Sequence, residues 1–425
     1  MPDLLLRGAV LPRTTTPVDL AVTDGRFVVL DGSTPAETLE LGGRLVTPPL
    51  VEPHIHLDAV LTAGHPRPNV SGSLFEGIAV WGERVRDLTH ADVAARAETV
   101  LSWQLAHGVQ AVRSHVDVCD PELTALRALV EVRERWRGVV DLQLVAFPQQ
   151  GILGYLDGPG GKALVERACD LGADVVGGIP HFELTREDGV ESVRWLVALA
   201  HERGLAVDVH CDETDDEHSR FVEVLAAETL RRGMSGRVCA SHTTAMSSYG
   251  AAYAGRLITN LARAGLHLVT NPLDNAVLQG RFDPGPVRRG VTRVKELQAA
   301  GLTVAIGHDS VMDPWYPLGS GDPMQASLVL AHTGHLSGAD ELLRLVDMVT
   351  VDPARVLGLP ENRLRPGDPA DLVVHDAPGE VDALRLQRPR HLVLRGGHVV
   401  ARTEPARTTV VVDGDESEVS FLRPR

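Results

Sequence analysis

LVTPPLVEPHIHLD, residues 45–58, is the stretch that decides the predicted fold. It reads as a buried strand that ends in the polar pair His54 and His56. Seven more strand-like runs follow, separated by amphipathic helix-like stretches, and they span residues 109–118, 139–148, 173–182, 205–213, 237–243, 266–272 and 302–310. Eight alternating units predict an α/β fold, a distorted TIM-type (β/α)8 barrel. An open doubly wound sheet is disfavoured because no glycine-rich nucleotide loop accompanies the strands.

Two segments of a different texture flank this middle part. The first 48 residues and the tail both read as short strands separated by turns, and Asp24-Gly25 is a hairpin signal. Chain termini often lie close together in folded domains. We therefore predict one small β-sandwich domain built from residues 1–48 and 365–425, appended to a catalytic barrel over residues 49–364.

Composition excludes several classes of partner. The chain has 425 residues, a formal net charge of −16 and a hydrophobic content of 44%. It carries no basic stripe that could meet phosphates, so neither nucleic acid nor an anionic membrane is expected as a partner. The four cysteines form no CxxC pair, which favours reduced thiols over a disulfide framework. The apolar runs are too short for a signal peptide or a membrane span, and we expect a cytoplasmic protein.

Polar side chains collect where the predicted strands end. In a barrel of parallel strands, reactive groups gather at the C-terminal strand ends. The residues found at these ends are His54, His56, Gln149, His181, Glu183, His210, Glu213, His242 and Asp309. Five histidines of the middle segment therefore lie where a barrel would carry its active site.

His54 and His56 form the strongest local pattern. Side chains two positions apart on a strand point to the same face, so the two imidazoles address one point. Such a pair is also compatible with packed or surface histidines. A further histidine and an aspartate at other strand ends favour a metal site, since three imidazoles and one carboxylate suit zinc or iron(II). A metal held in this way can lower the pKa of water towards neutrality.

The motifs PHIHLD, VDVHCDE, SHTTAM and GHD resemble those of the bacterial cytosine deaminases, which belong to the amidohydrolase superfamily. The likeness extends over nearly the whole chain and includes GADVVGGIPHFELTRE, LQGRFD and DPWYPLG. It implies one divalent metal ion, Fe(II) or Zn(II), with the ligands His54, His56, His210 and Asp309. Two-metal members of the superfamily often bridge their ions with a carboxylated lysine. The two lysines present, Lys162 and Lys295, lie in helix-like segments, which favours a single ion.

The resemblance also implies the remaining roles and a homo-oligomeric assembly. Glu213 matches the general acid/base that moves protons between water, ring nitrogen and departing amine. His242 matches the residue that hydrogen-bonds the attacking water, and Asp309 can accept a proton from that water. Gln149 matches the amide that recognises the oxygen and adjacent N–H of a pyrimidine. Leu74 and Trp315 match apolar walls of the ring pocket.

Ser310 departs from the family pattern, because cytosine deaminases carry a second aspartate at this position. The shorter side chain removes a charge and some bulk, so a ring substituted at C5 gains room. One methyl group in an apolar pocket is worth about 1–3 kcal/mol. We therefore predict a pyrimidine-salvage enzyme that deaminates cytosine to uracil and ammonia, and that accepts or prefers 5-methylcytosine, giving thymine. If the serine is merely tolerated, cytosine stays the preferred substrate.

Other functions remain open at this point. The same machinery would serve another cyclic amidine, such as isoguanine or creatinine. A ring-opening cyclic amidohydrolase is less favoured without the bridging lysine. A barrel used only as a binding scaffold would need a broken ligand set, and none of the expected ligands is missing. His115, Asp117, His181 and Glu183 are expected to support or pack against the site rather than to bind metal.

Overall fold

The computed structural model, which describes residues 2–153 and 160–422, has the predicted barrel as its centre. Eight parallel strands follow each other around it in sequence order. They are β6 (Leu50–Ile55), β7 (Val109–Asp117), β8 (Asp141–Phe147), β9 (Val175–Gly178), β10 (Ala206–Cys211), β11 (Val238–His242), β12 (His267–Thr270) and β13 (Thr303–Ile306). The barrel closes where the Asp309 amide donates to the His54 carbonyl at 2.9 Å and the His56 amide donates to the Asp309 carbonyl at 3.2 Å. The predicted TIM-type fold is confirmed.

Helices follow the strands and cover the barrel. They are α1 (Leu74–Arg84), α2 (His90–Ala106), α3 (Thr124–Trp136), α4 (Gly160–Asp170), α5 (Arg186–Arg203), α6 (Phe221–Arg232), α7 (Ala251–Ala264), α8 (Pro272–Leu278), α9 (Val294–Ala299), α10 (Pro323–Thr333), α11 (Ala339–Asp347) and α12 (Val351–Val356). Several begin at a side-chain cap of the expected kind: Ser73, Thr89 and Thr185 each accept from the amide three residues later. The polar caps satisfy amides that the first helical turn leaves unpaired.

The termini form two four-stranded sheets, as predicted, and one separate two-stranded sheet. The strands are β1 (Leu4–Ala9), β2 (Val18–Thr23), β3 (Arg26–Val28), β4 (Glu37–Glu40), β5 (Val46–Thr47), β14 (Leu372–His375), β15 (Arg390–Arg395), β16 (His398–Arg402), β17 (Thr409–Val412) and β18 (Asp415–Glu418). One four-stranded sheet has the order β3-β2-β1-β4 and consists of N-terminal strands. The other has the order β16-β15-β14-β5, so it joins three C-terminal strands to the N-terminal strand β5. All pairs in them are antiparallel except β1 with β4. The predicted hairpin at Asp24-Gly25 is confirmed, with φ values of 49° and 72°.

The two terminal sheets share one apolar core, which includes Leu6, Leu41, Leu372 and Leu394. The predicted domain boundaries at residues 48 and 365 stay a prediction. The C-terminal segment also contains a helix that the strand-like pattern did not predict, α13 (Glu380–Leu386), and a separate exposed hairpin of β17 and β18. Within residues 2–153 and 160–422, every helix is too short or too polar to cross a membrane.

The first predicted strand is divided in the structure. Pro48 and Pro49 separate β5, which pairs with β14, from β6, which pairs with β7. Proline has no amide hydrogen, so two in succession interrupt a strand ladder. The fourth predicted strand also ends earlier than expected, at Gly178, and a 3₁₀ turn over Pro180–Phe182 replaces its last residues.

Candidate active site

Four donor atoms from three strand ends meet at the C-terminal mouth of the barrel. The Nε2 atom of His210 lies 3.2 Å from Nε2 of His54 and 3.1 Å from Nε2 of His56. Oδ1 of Asp309 lies 3.4 Å from Nε2 of both His54 and His56. All four side chains are buried. The structure thus brings together the four residues that the sequence proposed as ligands.

This spacing fits one bound metal ion. Nitrogen and oxygen ligands about 2.1 Å from a tetrahedral ion lie about 3.4 Å apart. A hydrogen bond explains the distances less well, because Nε2 of His210 would have to serve two imidazole nitrogens at once. Burial and the neighbouring histidines lower the pKa of His210 well below its ordinary value, so its imidazole is neutral, as a metal ligand must be. The cluster could therefore hold a divalent cation.

His242 lies at the edge of this cluster. With His54, His210 and Asp309 it forms a group whose donor atoms all lie within 4.8 Å of one another. Its Nδ1 atom is nevertheless 3.8 Å from Asp309 Oδ2 and closer, at 3.3 Å, to Oε1 of Glu213. His56 is nearer than His242 to the common point, because it shares the same two short contacts as His54. His242 thus lies farther from the common point than the other three histidines, and it lines the pocket next to Glu213.

The backbone is strained where the site is built. His242 has a φ of 68° and Asp309 a φ of 70°, in the left-handed region that non-glycine residues rarely adopt. Each such residue costs on the order of 1–3 kcal/mol and persists only where its surroundings enforce it. For Asp309 the barrel-closing hydrogen bonds with His54 and His56 provide that enforcement. The bend turns its carboxylate back toward the histidines of β6.

A chain of polar groups fixes the orientation of His54. Arg113 Nη1 donates to Asp208 Oδ2 at 2.8 Å, and the Ser241 hydroxyl donates to Asp208 Oδ1 at 2.7 Å. Since that hydroxyl has a single hydrogen, its oxygen can only accept from Nδ1 of His54, which lies 2.9 Å away. The proton of His54 is thereby held on Nδ1, and the lone pair of Nε2 faces the other ligands.

Glu52 joins the two strand ends that carry His54 and Asp309. Its Oε1 accepts from the His54 amide at 2.9 Å, and both of its oxygens accept from the His308 amide at 3.1 Å. Complete burial raises the pKa of Glu52 to about 8. No sequence pattern singles out this glutamate, because it lies inside an otherwise apolar strand.

Glu213 lies beside the cluster and contacts its polar neighbours. Its Oε1 accepts from Nδ2 of Asn275 at 3.0 Å, and the same amide nitrogen lies 3.1 Å from Nδ1 of His242. Burial, and then the charge of Asp309, raise the pKa of Glu213 well above its ordinary value. Burial lowers the pKa of His242 to about 3. A protonatable carboxyl and a neutral imidazole thus lie side by side.

A small pocket opens in front of these groups. It is lined by His56, Leu74, Gln149, His210, Glu213, His242, Asp274, Leu278, Asp309, Ser310 and Trp315. Every site residue predicted from the sequence is in this lining except His54, which lies behind it. A larger cavity of about 240 Å³, lined by residues such as Val51, Gln110 and Arg395, lies between the other end of the barrel and the terminal sheets. The ionisable residues that the structure describes in its lining are arginines paired with carboxylates, such as Arg395 with Asp141, and no histidine is among them. We therefore place the chemistry at the barrel mouth.

Besides Glu52, three polar residues near the pocket were not predicted from the sequence: Asn271, Asp274 and Asn275. They lie at the end of β12 and on α8, and all three are buried. One feature of the sequence could have indicated them: the spacing of positions 271, 274 and 275 places three side chains on one helical face directly after a strand.

Glu183, which was expected to support or pack against the site, accepts hydrogen bonds from the backbone amides of Ile152 at 2.8 Å and Leu153 at 3.0 Å.

The site agrees with what the chain is similar to. A 5-methylcytosine deaminase from Klebsiella pneumoniae, solved with 5-fluorocytosine, is 46% identical, with a TM-score of 0.91 over 95% of this chain and 98% of that one. A pterin deaminase from Rhizobium rhizogenes is 32% identical over 91% of this chain and 88% of its own length. An N-isopropylammelide isopropyl amidohydrolase from a Pseudomonas species is 27% identical over 95% and 98%. The family model described as "Amidohydrolase family" matches residues 37–414. The chain belongs to the amidohydrolase family, and it is a hydrolase that acts on C–N bonds.

Proposed function

We propose that this protein is a metal-dependent hydrolytic deaminase of cytosine-type bases that accepts 5-methylcytosine. The observation that carries the proposal is the juxtaposition of Glu213, Gln149 and the ligand cluster around one small pocket. Hydrolytic deamination needs an activated water, a proton for the ring nitrogen and a proton for the departing amine. The 46% identical 5-methylcytosine deaminase supports the choice of a methylated pyrimidine.

The proposed ligands are His54, His56, His210 and Asp309. One divalent ion, Fe(II) or Zn(II), bound there would supply a water nucleophile at neutral pH. Their donor set and spacing suit either metal.

The protein's own residues divide the remaining work. Gln149 offers an adjacent donor and acceptor, which match the C2 carbonyl and N1–H of the base. His242 accepts a hydrogen bond from the attacking water and aims it at C4, while Asp309 accepts a proton from that water. Glu213 delivers a proton to N3 as the C4–O bond forms. It then takes up the proton of the new C4 hydroxyl and passes it to the exocyclic nitrogen, so that the C4–N bond breaks, ammonia leaves and the C4 carbonyl forms. The proton held by Asp309 afterwards returns Glu213 to its acid form.

Ser310 supports the acceptance of a C5 methyl group. It is buried in the pocket lining, and its hydroxyl donates to Oδ2 of Asp274 at 2.7 Å. Only a short side chain therefore stands at this position. The 32% identical pterin deaminase supports a second candidate, a fused pteridine ring that carries the same amino-amidine group.

The deciding experiment compares kcat/KM for cytosine and 5-methylcytosine, by ammonia release, on iron-loaded and zinc-loaded protein. We expect turnover of both bases and at least as much activity on the methylated one. A strong preference for cytosine would refute the role given to Ser310. Activity on pterin, isoguanine or creatinine, with none on either pyrimidine, would overturn the proposed substrate while leaving the metal site in place.

A further inference from the structure

Asp274 is a buried carboxylate that has no role in the mechanism proposed above. It lies on α8, is 2% exposed and belongs to the pocket lining. Oδ2 accepts the hydroxyl of Ser310 at 2.7 Å, whereas Oδ1 has no hydrogen-bond partner among the described residues. A buried carboxylate oxygen left unpaired is costly unless something else binds it. Here the unpaired oxygen belongs to the wall of the substrate pocket.

The hydrogen bond with Ser310 indicates a role for the Asp274 carboxylate. Cytosine deaminases resembling this chain carry an aspartate where Ser310 stands. In this chain the Ser310 hydroxyl instead donates a hydrogen bond to the carboxylate of Asp274, which belongs to α8. The acid is therefore still present at this edge of the pocket, but it comes from α8 rather than from the end of β13.

We propose that Asp274 is a specificity-determining substrate-binding residue, and that Ser310 orients it. This inference rests on the proposed function. Gln149 is assigned to the C2 carbonyl and N1–H, and Glu213 to N3, so the ring edge left for Asp274 carries the exocyclic amine and C5. Oδ1 accepts an N–H of the amine. Because the carboxylate reaches in from α8, the short side chain at position 310 leaves room for the methyl group.

Asp313 does not compete for this role. Its Oδ1 accepts from the amides of Trp315 at 3.0 Å and Tyr316 at 3.1 Å, so it shapes the loop that presents Trp315. Asp313 is outside the pocket lining, whereas Asp274 is inside it.

The first test is Asp274→Asn, studied on the metal-loaded enzyme with cytosine and 5-methylcytosine. An asparagine that keeps the Ser310 hydrogen bond through its oxygen turns its NH2 group toward the amine, so the amine N–H loses its acceptor. A buried donor without a partner corresponds to a loss of about 10- to 100-fold in kcat/KM, and we expect this loss largely as a raised KM. The products uracil and thymine have no exocyclic amine, and an asparagine can donate to their C4 carbonyl. Their inhibition constants should therefore stay unchanged or fall. A merely structural role would weaken substrate and product alike, and such a result would overturn the proposal.

The second test returns the carboxylate to position 310. The double variant Asp274→Ala/Ser310→Asp should recover cytosine deamination relative to Asp274→Ala alone, but it should lose activity on 5-methylcytosine. Val277→Asn, on the exposed face of the same helix, is the control for changes to α8. Equal recovery on both bases, or no recovery, would refute the assignment. A wild-type enzyme that deaminates neither base would instead refute the proposed function, so the two failures are distinguishable.

Discussion

At the scale of single residues, Ser241 connects the pair Arg113–Asp208 to the imidazole of His54. Ser241→Ala removes the acceptor that holds the proton on Nδ1, so both tautomers of His54 become accessible. Loss of such an outer hydrogen bond typically costs 10- to 100-fold in metal affinity. We expect a decrease in that range, measured by competition with a chelator of known affinity.

The control for this variant is Ser327→Ala. Ser327 is equally buried, but its hydroxyl donates to the Leu345 carbonyl at 3.3 Å, away from the cluster. Its substitution should leave metal affinity unchanged. If Ser241→Ala binds metal as tightly as the wild type, the chain through Asp208 does not fix the tautomer.

Glu213 provides the second prediction at this scale. Glu213→Gln keeps the hydrogen bond with Asn275 but removes the exchangeable carboxyl proton. General acid–base catalysis contributes about 10²- to 10⁴-fold, so kcat should fall by that factor. Metal content should not change, because Glu213 is not among the proposed ligands. Glu217→Gln, a more exposed glutamate of the same loop, is the matched control. Full activity in Glu213→Gln would exclude its proposed role.

Residue patterns predicted the histidine cluster better than the groups around it. His54 and His56 share a face by strand periodicity, and the other candidates stand at strand ends, so local rules were enough to bring them together. Asp274 and Glu52 were missed for a physical reason. The sequence does not show whether a carboxylate is buried, and in both cases burial results from packing between elements distant along the chain. The partner of Asp274, Ser310, is 36 residues away.

At the scale of elements, α1 approaches the pocket through Gly77. A β-carbon at this position would lie 2.4 Å from Cδ1 of Trp315, which lines the pocket. Gly77→Ala should favour the helix by about 1 kcal/mol through propensity alone. It should also displace Trp315 and raise KM for the base by about tenfold or more. The measurements are steady-state kinetics and the thermal unfolding midpoint of the same variant.

Gly255→Ala gives the matched control for this prediction. Gly255 lies inside α7, and nothing lies within 4 Å of a β-carbon added there. The variant should gain about the same helix propensity with unchanged kinetics. If Gly77→Ala also leaves KM unchanged, Trp315 is free to move and does not define the pocket wall.

Local rules placed most elements but did not resolve their ends. Apolar runs and amphipathic stretches predicted the barrel strands and helices such as α2, α3 and α5. The proline pair at 48 and 49 was read as part of one strand, although it divides β5 from β6. Helix α8 was missed because it has only seven residues and begins directly after β12. Short elements of this kind are fixed by tertiary packing more than by propensity.

At the scale of the whole molecule, the terminal sheets bring together residues far apart along the chain. The strand-like texture of both ends predicted that they would meet. It did not predict which strands would pair, because the pairing depends on contacts such as Val373 with Thr47 across more than 300 positions. One buried histidine, His375, lies at this junction, where its Nε2 atom is 2.9 Å from the Thr47 hydroxyl.

The pH dependence of stability should report on this junction. Burial, reinforced by the charge of Arg390, lowers the pKa of His375 well below its ordinary value. As pH falls below about 6.5, the unfolded chain takes up the proton first, so the folded state loses stability. His375→Gln can keep the hydrogen bond to Thr47 but does not titrate. We expect a smaller fall in the unfolding midpoint between pH 7.5 and pH 5 than in the wild type. His398→Gln, exposed in the same sheet, should keep the wild-type slope. If the slope of His375→Gln is also unchanged, the acid sensitivity arises elsewhere, and this histidine does not couple the two ends of the chain to pH.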